Sequence, residues 1–359
     1  MRPQLISRAM RGIGVALCLA IVILWGIGGA GAADSAVLTR IAFGSCADQD
    51  KPQPIWDSIL AYRPDLFIFG GDNVYGDVTG AEMTELKGAY ERARAIPGYA
   101  RVRAEVPRIL ATWDDHDYGQ NDGGADFPHK RAAQRLFADF WELPADDARR
   151  TREGLYAAAT YGEGDRRVQI ILLDTRFFRS SLKPTNQRGA PGRERYLPDP
   201  DASKTMLGAA QWQWLEDRLR EPAALRLIVS SIQVLADGHG WERWGNLPRE
   251  RERLFATIGR TGANGVVFLS GDRHFGGIYR RDADLPYAVH EVTASGLNVA
   301  YAGVREVDEA RLGAPYDAPH FGTVDIDWDA ARVSLTIRAV DGAIQRQAEL
   351  RLPDLRRPR

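Results

Sequence analysis

Asp72 follows an apolar run in FGGDNVYGD. Asp114, Asp115, His116 and Asp117 stand together in TWDDHDYGQNDGG, and Asp272 and His274 lie two apart in LSGDRHFGG. Cys46 closes a fourth apolar run, RIAFGSCADQ. Carboxylate, imidazole and thiol in this pattern are metal-ligand chemistry. Oxygen donors suit hard cations such as calcium, while thiolate and imidazole suit transition metals. One rim offering both donor kinds implies two different metals. On an extended segment residues two apart face one side, so Asp272 and His274 are expected to serve one metal pair. Each stretch alone is weak, since GDN is a common turn and DDHD can be a solvated loop. Their order, each behind an apolar run, carries the reading.

The elements that must position these residues follow from the same runs. VLTRIAFGSC, DLFIFGGD, RILATWDD, RRVQIILLDTR, LRLIVSSIQV and NGVVFLSGD read as short buried strands. Helical patterns are expected between them, over Pro54 to Tyr62, Ala81 to Ala95, Lys130 to Phe140, Gly208 to Leu219 and Pro248 to Gly259. Strands alternating with helices predict an α/β fold. The tail, GTVDIDWDAARVSLTIRAVDGAIQRQAELRL, alternates at period two and reads as an antiparallel meander added to the same sheet system. Cys46, Asp72, Asp115 and Asp272 each follow a strand run, where ligand sites of open α/β sheets gather. Lys183 to Thr205, RRDADLPY and VREVDEARLGAPYDAPH read as surface loops.

The chain opens with Arg2, Arg8 and Arg11, an apolar run from Ile13 to Ile27, and GGAGAADS. That is the layout of a secretory signal peptide, with cleavage expected after Ala32 or Ala33. No Arg-Arg pair precedes the run, which favours the general secretory (Sec) route to a periplasmic or extracellular location. An N-terminal membrane anchor is the alternative, although the run is short for a span of about 20 residues. Losing these three arginines moves the formal net charge from −1 to −4, against a nucleic-acid-binding role. Residues 33–359 are expected to form one catalytic domain, a monomer with no stable partner beyond its substrate. Cys18 would leave with the signal, so Cys46 would stand alone in an oxidising compartment. It reads as a reactive thiol, an intermolecular disulfide, a buried apolar residue or a metal ligand.

The motif order resembles the metallophosphoesterases, and more closely their PhoD-type, alkaline phosphatase D branch. The superfamily pattern runs Asp-x-His, Gly-Asp-x-x-Asp, Gly-Asn-His-Asp/Glu and Gly-His-x-His. Here GSC, GDNVY, DDHD and GDRH stand in those places, the departures the PhoD-type branch makes. The resemblance runs from about Leu38 to near the C-terminus and includes LDTRFFR, QWQWLEDRL, SSIQVL and WGNLPRERERL. It implies an αββα sandwich of two mixed β-sheets flanked by helices, without the N-terminal β-sandwich domain of larger members. It further implies that Asp72 bridges two metals and that Cys46, Tyr75 and His274 complete a ferric site. Asp115 and Asp272 would bind calcium with Asp72; zinc or manganese are the alternative metals. His116, oriented by Asp117, would be general acid or phosphate contact, and Arg176 would be a fork for the phosphate. The implied activity is hydrolysis of phosphomonoesters or phosphodiesters, small, lipid or polymeric. Two metals about 3.5–4 Å apart clamp such a displacement and activate water.

Other residues are read from their surroundings. Asn73, Asn121, Gln233 and His239 are further candidates: Gln233 where the superfamily places a histidine, His239 on an active-site loop, and Asn121 for a metal or loop hydrogen bond. Asp114 is read as a turn or supporting residue. His129, His290 and His320 are read as structural. Of Trp212 and Trp214 one is expected to pack and one to be partly exposed, while Trp241 and Trp244 wall a cleft or pack. Two other classes compete with the two-metal enzyme. One is a cysteine hydrolase using Cys46 with His116 or His274 as base, and the other is a non-catalytic, calcium-dependent binding protein.

Overall fold

The computed structural model describes residues 34–357; the expected signal peptide lies outside them. The strands are β1 (Arg40–Gly44), β2 (Leu66–Phe69), β3 (Ile109–Ala111), β4 (Ala157–Tyr161), β5 (Val168–Leu172), β6 (Lys183–Pro184), β7 (Tyr196–Leu197), β8 (Leu225–Val229), β9 (Val266–Ser270), β10 (Gly276–Arg281), β11 (Val289–Ala294), β12 (His320–Asp327), β13 (Arg332–Ala339) and β14 (Ile344–Arg351). The helices are α1 (Ile55–Tyr62), α2 (Thr84–Ala95), α3 (Pro97–Glu105), α4 (Asp115–Tyr118), α5 (Lys130–Phe140), α6 (Gly208–Arg220) and α7 (Pro248–Thr261). One six-stranded sheet runs β14-β13-β12-β1-β2-β3 and the other β10-β11-β9-β8-β5-β4. The first is parallel at β1-β2-β3, and β12 extends it antiparallel from β1, so the C-terminal meander joins the sheet as expected.

Period-two alternation decides which layer each side chain enters. Ile41, Phe43, Leu66 and Ile68 join the apolar layer shared with the second sheet. Ala42, Phe67 and Phe69 face the opposite way, against Trp56 of α1, Tyr99 of α3 and Phe137 of α5. The second sheet carries α6 and α7 through Trp212, Leu215, Leu254 and Phe255. The layers are thus helix, sheet, sheet, helix, the expected sandwich. Helix α3 was not expected: PGYARVRAE buries only Tyr99 and Val102 and carries little apolar periodicity. Strand β4, AAATY, was also missed, because alanines give no strand signal. Trp212 is buried and Trp214 half-buried, as read from their spacing.

The carboxyl ends of β1, β2, β3, β5, β8, β9 and β11 open on one rim, the general place for ligands in such sheets. The two sheets are stitched together there. Ser45 N–H donates to Ala294 O at 3.0 Å, and Leu297 N–H donates to Ser45 O at 3.0 Å. Gly271, after β9, makes this approach possible, since a Cβ on it would lie 2.4 Å from Ser45 Oγ. Cys46 is the next residue after this junction.

Candidate metal centre

Asp72 sits on the Gly70-Gly71 turn behind β2. Gly71 holds φ at 118°, and a Cβ there would meet Asp114 Cβ at 2.6 Å. The turns after β2 and β3 therefore lie almost in contact. Asp117 clasps them: its carboxylate accepts from the backbone N–H of Asp72 (3.3 Å), Asn73 (3.2 Å) and Asp114 (2.6 Å), and from Asn73 Nδ2 (2.5 Å). With Asp114 it also caps the single turn α4. Asp117 is thus committed to backbone amides. The expected orienting partner of His116 is corrected to Asp77, whose Oδ2 lies 2.8 Å from His116 Nδ1. The signal for Asp77 was present in GDNVYGD, two residues beyond Tyr75, but not its direction.

Three three-residue sets bring ligand atoms within 4.8 Å of one another: Asp72 with Asp115 and His116, Asp114 with Asp115 and Asp272, and Asp115 with Asp122 and Glu242. Asp115 belongs to all three. Its Oδ2 accepts from Asp122 N–H at 2.7 Å, while Oδ1 is buried with no partner. Asp114 repeats this arrangement. Its Oδ1 accepts from Arg176 Nε (2.6 Å) and Ser231 Oγ (2.5 Å), and Oδ2 is unpartnered. Asp72 Oδ1 accepts from His116 N–H at 3.1 Å and its Oδ2 lies 3.6 Å from Cys46 Sγ. Tyr75 stacks on His116, ring centroids 4.4 Å apart, with a buried hydroxyl that has no partner. His274 Nδ1 lies 3.0 Å from Val299 O; a carbonyl only accepts, so Nδ1 carries the proton and Nε2 keeps its lone pair. Orphaned buried oxygens beside a thiol and a free imidazole nitrogen are the donor set that metal ions satisfy. The residues fit the implied group.

The electrostatics agree. Burial and then the Asp115 charge push Asp72 well above the carboxylate range, and burial with Asp114 and Asp115 does the same to Asp272. Burial raises Asp114 to about 6, against the pull of Arg176. Burial alone would also raise Asp115, but Arg176 and His116 hold it below the ordinary range. Burial opposes a charge on His116, yet Asp72 and Asp77 raise it to about 11. Burial lowers His274, keeping it neutral as a ligand must be, and pushes the Cys46 thiol up to about 12. Cys46 is fully buried, its Sγ near the hydroxyls of Ser295 (3.1 Å) and Ser45 (3.5 Å). No histidine nitrogen is among its hydrogen-bond partners, so the thiol has no base to activate it as a nucleophile.

Several expectations change. Arg176 is completely buried and paired with Asp114 and Glu242, while Arg179 pairs with the other Glu242 oxygen at 3.0 Å. Arg176 is a counter-charge beneath the acids, not a fork open to phosphate. Gln233 spends its amide on Thr293 Oγ1 (2.8 Å) and its carbonyl on His239 Nε2 (2.9 Å), so neither residue turns to the acids. Asp272 and His274 do not lie on an extended segment: φ is 66° and 55°, a left-handed turn that still brings both to the cleft. Cys46 (63°) and Asp72 (48°) share that conformation. Asn73 is buried with an unpartnered Oδ1, whereas Asn121 lines the cleft. Trp244 packs on Trp212, leaving Trp241 as the tryptophan of the wall.

The cleft above the acids has a volume of about 820 Å³. Its wall carries arginines that sequence reading missed, Arg195 and Arg273, held by Asp122 and by Glu306 (2.8 Å). Arg273 was visible between Asp272 and His274, but nothing in the sequence aimed it.

Arg176→Ala is expected to destabilise the fold by about 3–5 kcal/mol, because Asp114 and Glu242 lose their counter-charge. Chemical denaturation checks this; unchanged stability with a raised KM would restore the phosphate role. The second prediction concerns pH. Asp72 and Asp272 are raised, Asp117 and Glu242 are raised to about 7 by burial first, and His116 is raised to about 11. The folded chain therefore holds protons that the unfolded chain has lost above pH ~6.5, and stability falls as pH rises. Below that pH the lowered histidines, His239, His274, His290 and His320, act in the opposite sense. The melting temperature of metal-free protein should fall from pH ~6.5 to ~8, and metal reloading should shrink that fall. A flat profile in the metal-free protein would contradict the buried acids.

A family model described as PhoD-like phosphatase matches residues 41–325. Alkaline phosphatase D of Bacillus subtilis (strain 168) is 23% identical over 241 residues, which is 61% of this chain and 40% of that protein. The chain thus matches less than half the length of that relative. Among solved structures, that of PhoD superposes with a TM-score of 0.67 at 18% identity, covering 89% of this chain and 70% of the other. Purple acid phosphatase PPD1 from yellow lupin (Lupinus luteus) seeds superposes with a TM-score of 0.57 at 10% identity, covering 89% and 54%. Both likenesses concern the fold. With the family model spanning most of its length, the chain belongs to the PhoD-like phosphatase family.

Proposed function

We propose that the chain is an exported, metal-dependent phosphoesterase that hydrolyses phosphate monoesters or diesters at a two-metal centre. The observation that carries this reading is the overlap of three ligand sets on Asp115, one of them including His116 and another Asp272, on the cleft floor. Asp72, Asp115 and Asp272 would present hard oxygen donors, and Cys46, Tyr75 and His274 the softer set. A ferric ion and calcium are the proposed pair, with zinc or manganese as alternatives that the same donors accept. Bound there, two cations would supply Lewis-acid charge to the phosphate oxygens and lower the pKa of water.

The chain's own residues supply the rest. His116 keeps a proton because Asp77 accepts from Nδ1, which leaves Nε2 to protonate a departing alcohol. Tyr75, packed on the His116 ring, fixes its plane. Arg176 and Asp117 hold the turns that carry the acids without reaching the cleft. Export rests on residues 1–32 alone; no helix of the described residues is long and apolar enough to cross a membrane.

Turnover of phenyl phosphate and of bis-phenyl phosphate should disappear on chelation and return with added metal. Activity that survives complete chelation would overturn the reading. His116→Ala should retain the metals and lose about 10²–10⁴-fold in kcat. Asp77→Asn should cost roughly tenfold and move the alkaline limb of the pH–rate profile to lower pH, because the anion that raises His116 is gone. Asp77→Glu should restore part of both. An Asp77→Asn profile identical to that of the wild type would remove Asp77 from the mechanism.

A further inference from the structure

Five large apolar side chains are exposed among the described residues, and three of them, Tyr301, Val307 and Leu312, fall in one segment. Tyr301 (59% exposed) and Val307 (82% exposed) stand at the mouth of the cleft. The segment is held in place. Tyr301 N–H donates to His274 O at 2.9 Å, Gly303 N–H to Asp317 Oδ2 at 2.7 Å, and Glu306 pairs with Arg273. Asp308 accepts from the N–H of Asp237 (2.7 Å) and Gly238 (2.8 Å). An ordered lip that keeps an aromatic ring in water is a recognition surface in want of a guest.

Besides its histidines, the cleft is bordered by the rings of Trp241 and Tyr301, and only the second is open. The guanidinium groups of Arg195 and Arg273 lie 5.2 and 5.5 Å from the Trp241 ring centre and occupy it. Tyr301 has its neighbour on one side, the His274 ring, with centroids 4.2 Å apart and planes at 38°. The residue is otherwise largely exposed. A group stacked there would lie one ring away from a candidate metal ligand, close to a phosphate held at the acids. The cleft volume of about 820 Å³ leaves room for a substituent much larger than phosphate.

We infer that Tyr301 is a specificity-determining platform, on which a planar aromatic substituent of the phosphoester stacks; the assignment rests on the phosphoesterase reading. The favoured substrates are then esters of aryl alcohols or of base-bearing sugars.

The test compares binding of phenylphosphonate and methylphosphonate to the metal-loaded full chain by titration calorimetry, alongside phosphate release from phenyl phosphate. Phenylphosphonate should bind about tenfold tighter, the scale of one aromatic stack. Tyr301→Ala should abolish that preference and Tyr301→Phe should keep it. Equal binding by the wild type, or a preference that survives Tyr301→Ala, overturns the inference. So does an equal loss for both phosphonates in Tyr301→Ala, which would mean that the ring only props His274. A phenyl preference in protein that hydrolyses neither phenyl phosphate nor diphenyl phosphate would sink the phosphoesterase reading while the platform stood.

Discussion

Carboxylates crowded into a buried rim repel one another, and the arrangement around them answers that repulsion. Asp72, Asp114, Asp115 and Asp117 are buried at the ends of β2 and β3, with Asp272 meeting them from β9. Uncompensated, such charges would be too costly to bury. Arg176 provides a fixed positive charge below Asp114, and Asp117 is spent on backbone amides. What remains for a cation is the unpartnered Asp114 Oδ2 and Asp115 Oδ1, with Asp72 and Asp272 gathered around them.

The fold serves this crowding in a specific way. Parallel strands deliver one residue each to a common rim, and the Ser45–Ala294 stitch brings the thiol of one sheet to the imidazole turn of the other. Gly71 and Gly271 stand where side chains would hold the turns apart. Cys46, Asp72, Asp272 and His274 all adopt left-handed backbone, costing of order 1–3 kcal/mol each. Four of the ten non-glycine residues with positive φ among the described residues are thus candidate ligands, which fits a site whose geometry is set by what it binds.

Much of this was legible in the sequence, for identifiable reasons. An apolar run followed by Asp, Cys or His marks a strand end whatever the sheet order, so Cys46, Asp72, Asp115 and Asp272 were found at once. Charge without burial misled at Arg176: LDTRFFR shows a guanidinium among apolar residues but not the acids beneath which it lies. Adjacency misled at Asp117, which is next to His116 in the chain yet turns to the backbone, while Asp77 arrives from another turn. Of the wall residues, Trp241 was read as walling a cleft or packing, whereas Arg195 and Tyr301 come from separate loops, and loop direction leaves no periodic trace. Asp272 and His274 reached the cleft as expected, but by a turn that alternation does not describe.

The central proposal is that the rim would hold two unlike cations, one through its carboxylates and one through Cys46, Tyr75 and His274. Elemental analysis of the full chain, purified without chelator, tests it most directly. The account predicts about one iron with one or two calcium ions per chain, and loss of the iron but not the calcium in Cys46→Ala. Stoichiometric protein free of both kinds of metal, yet still releasing phosphate from an ester, would contradict it.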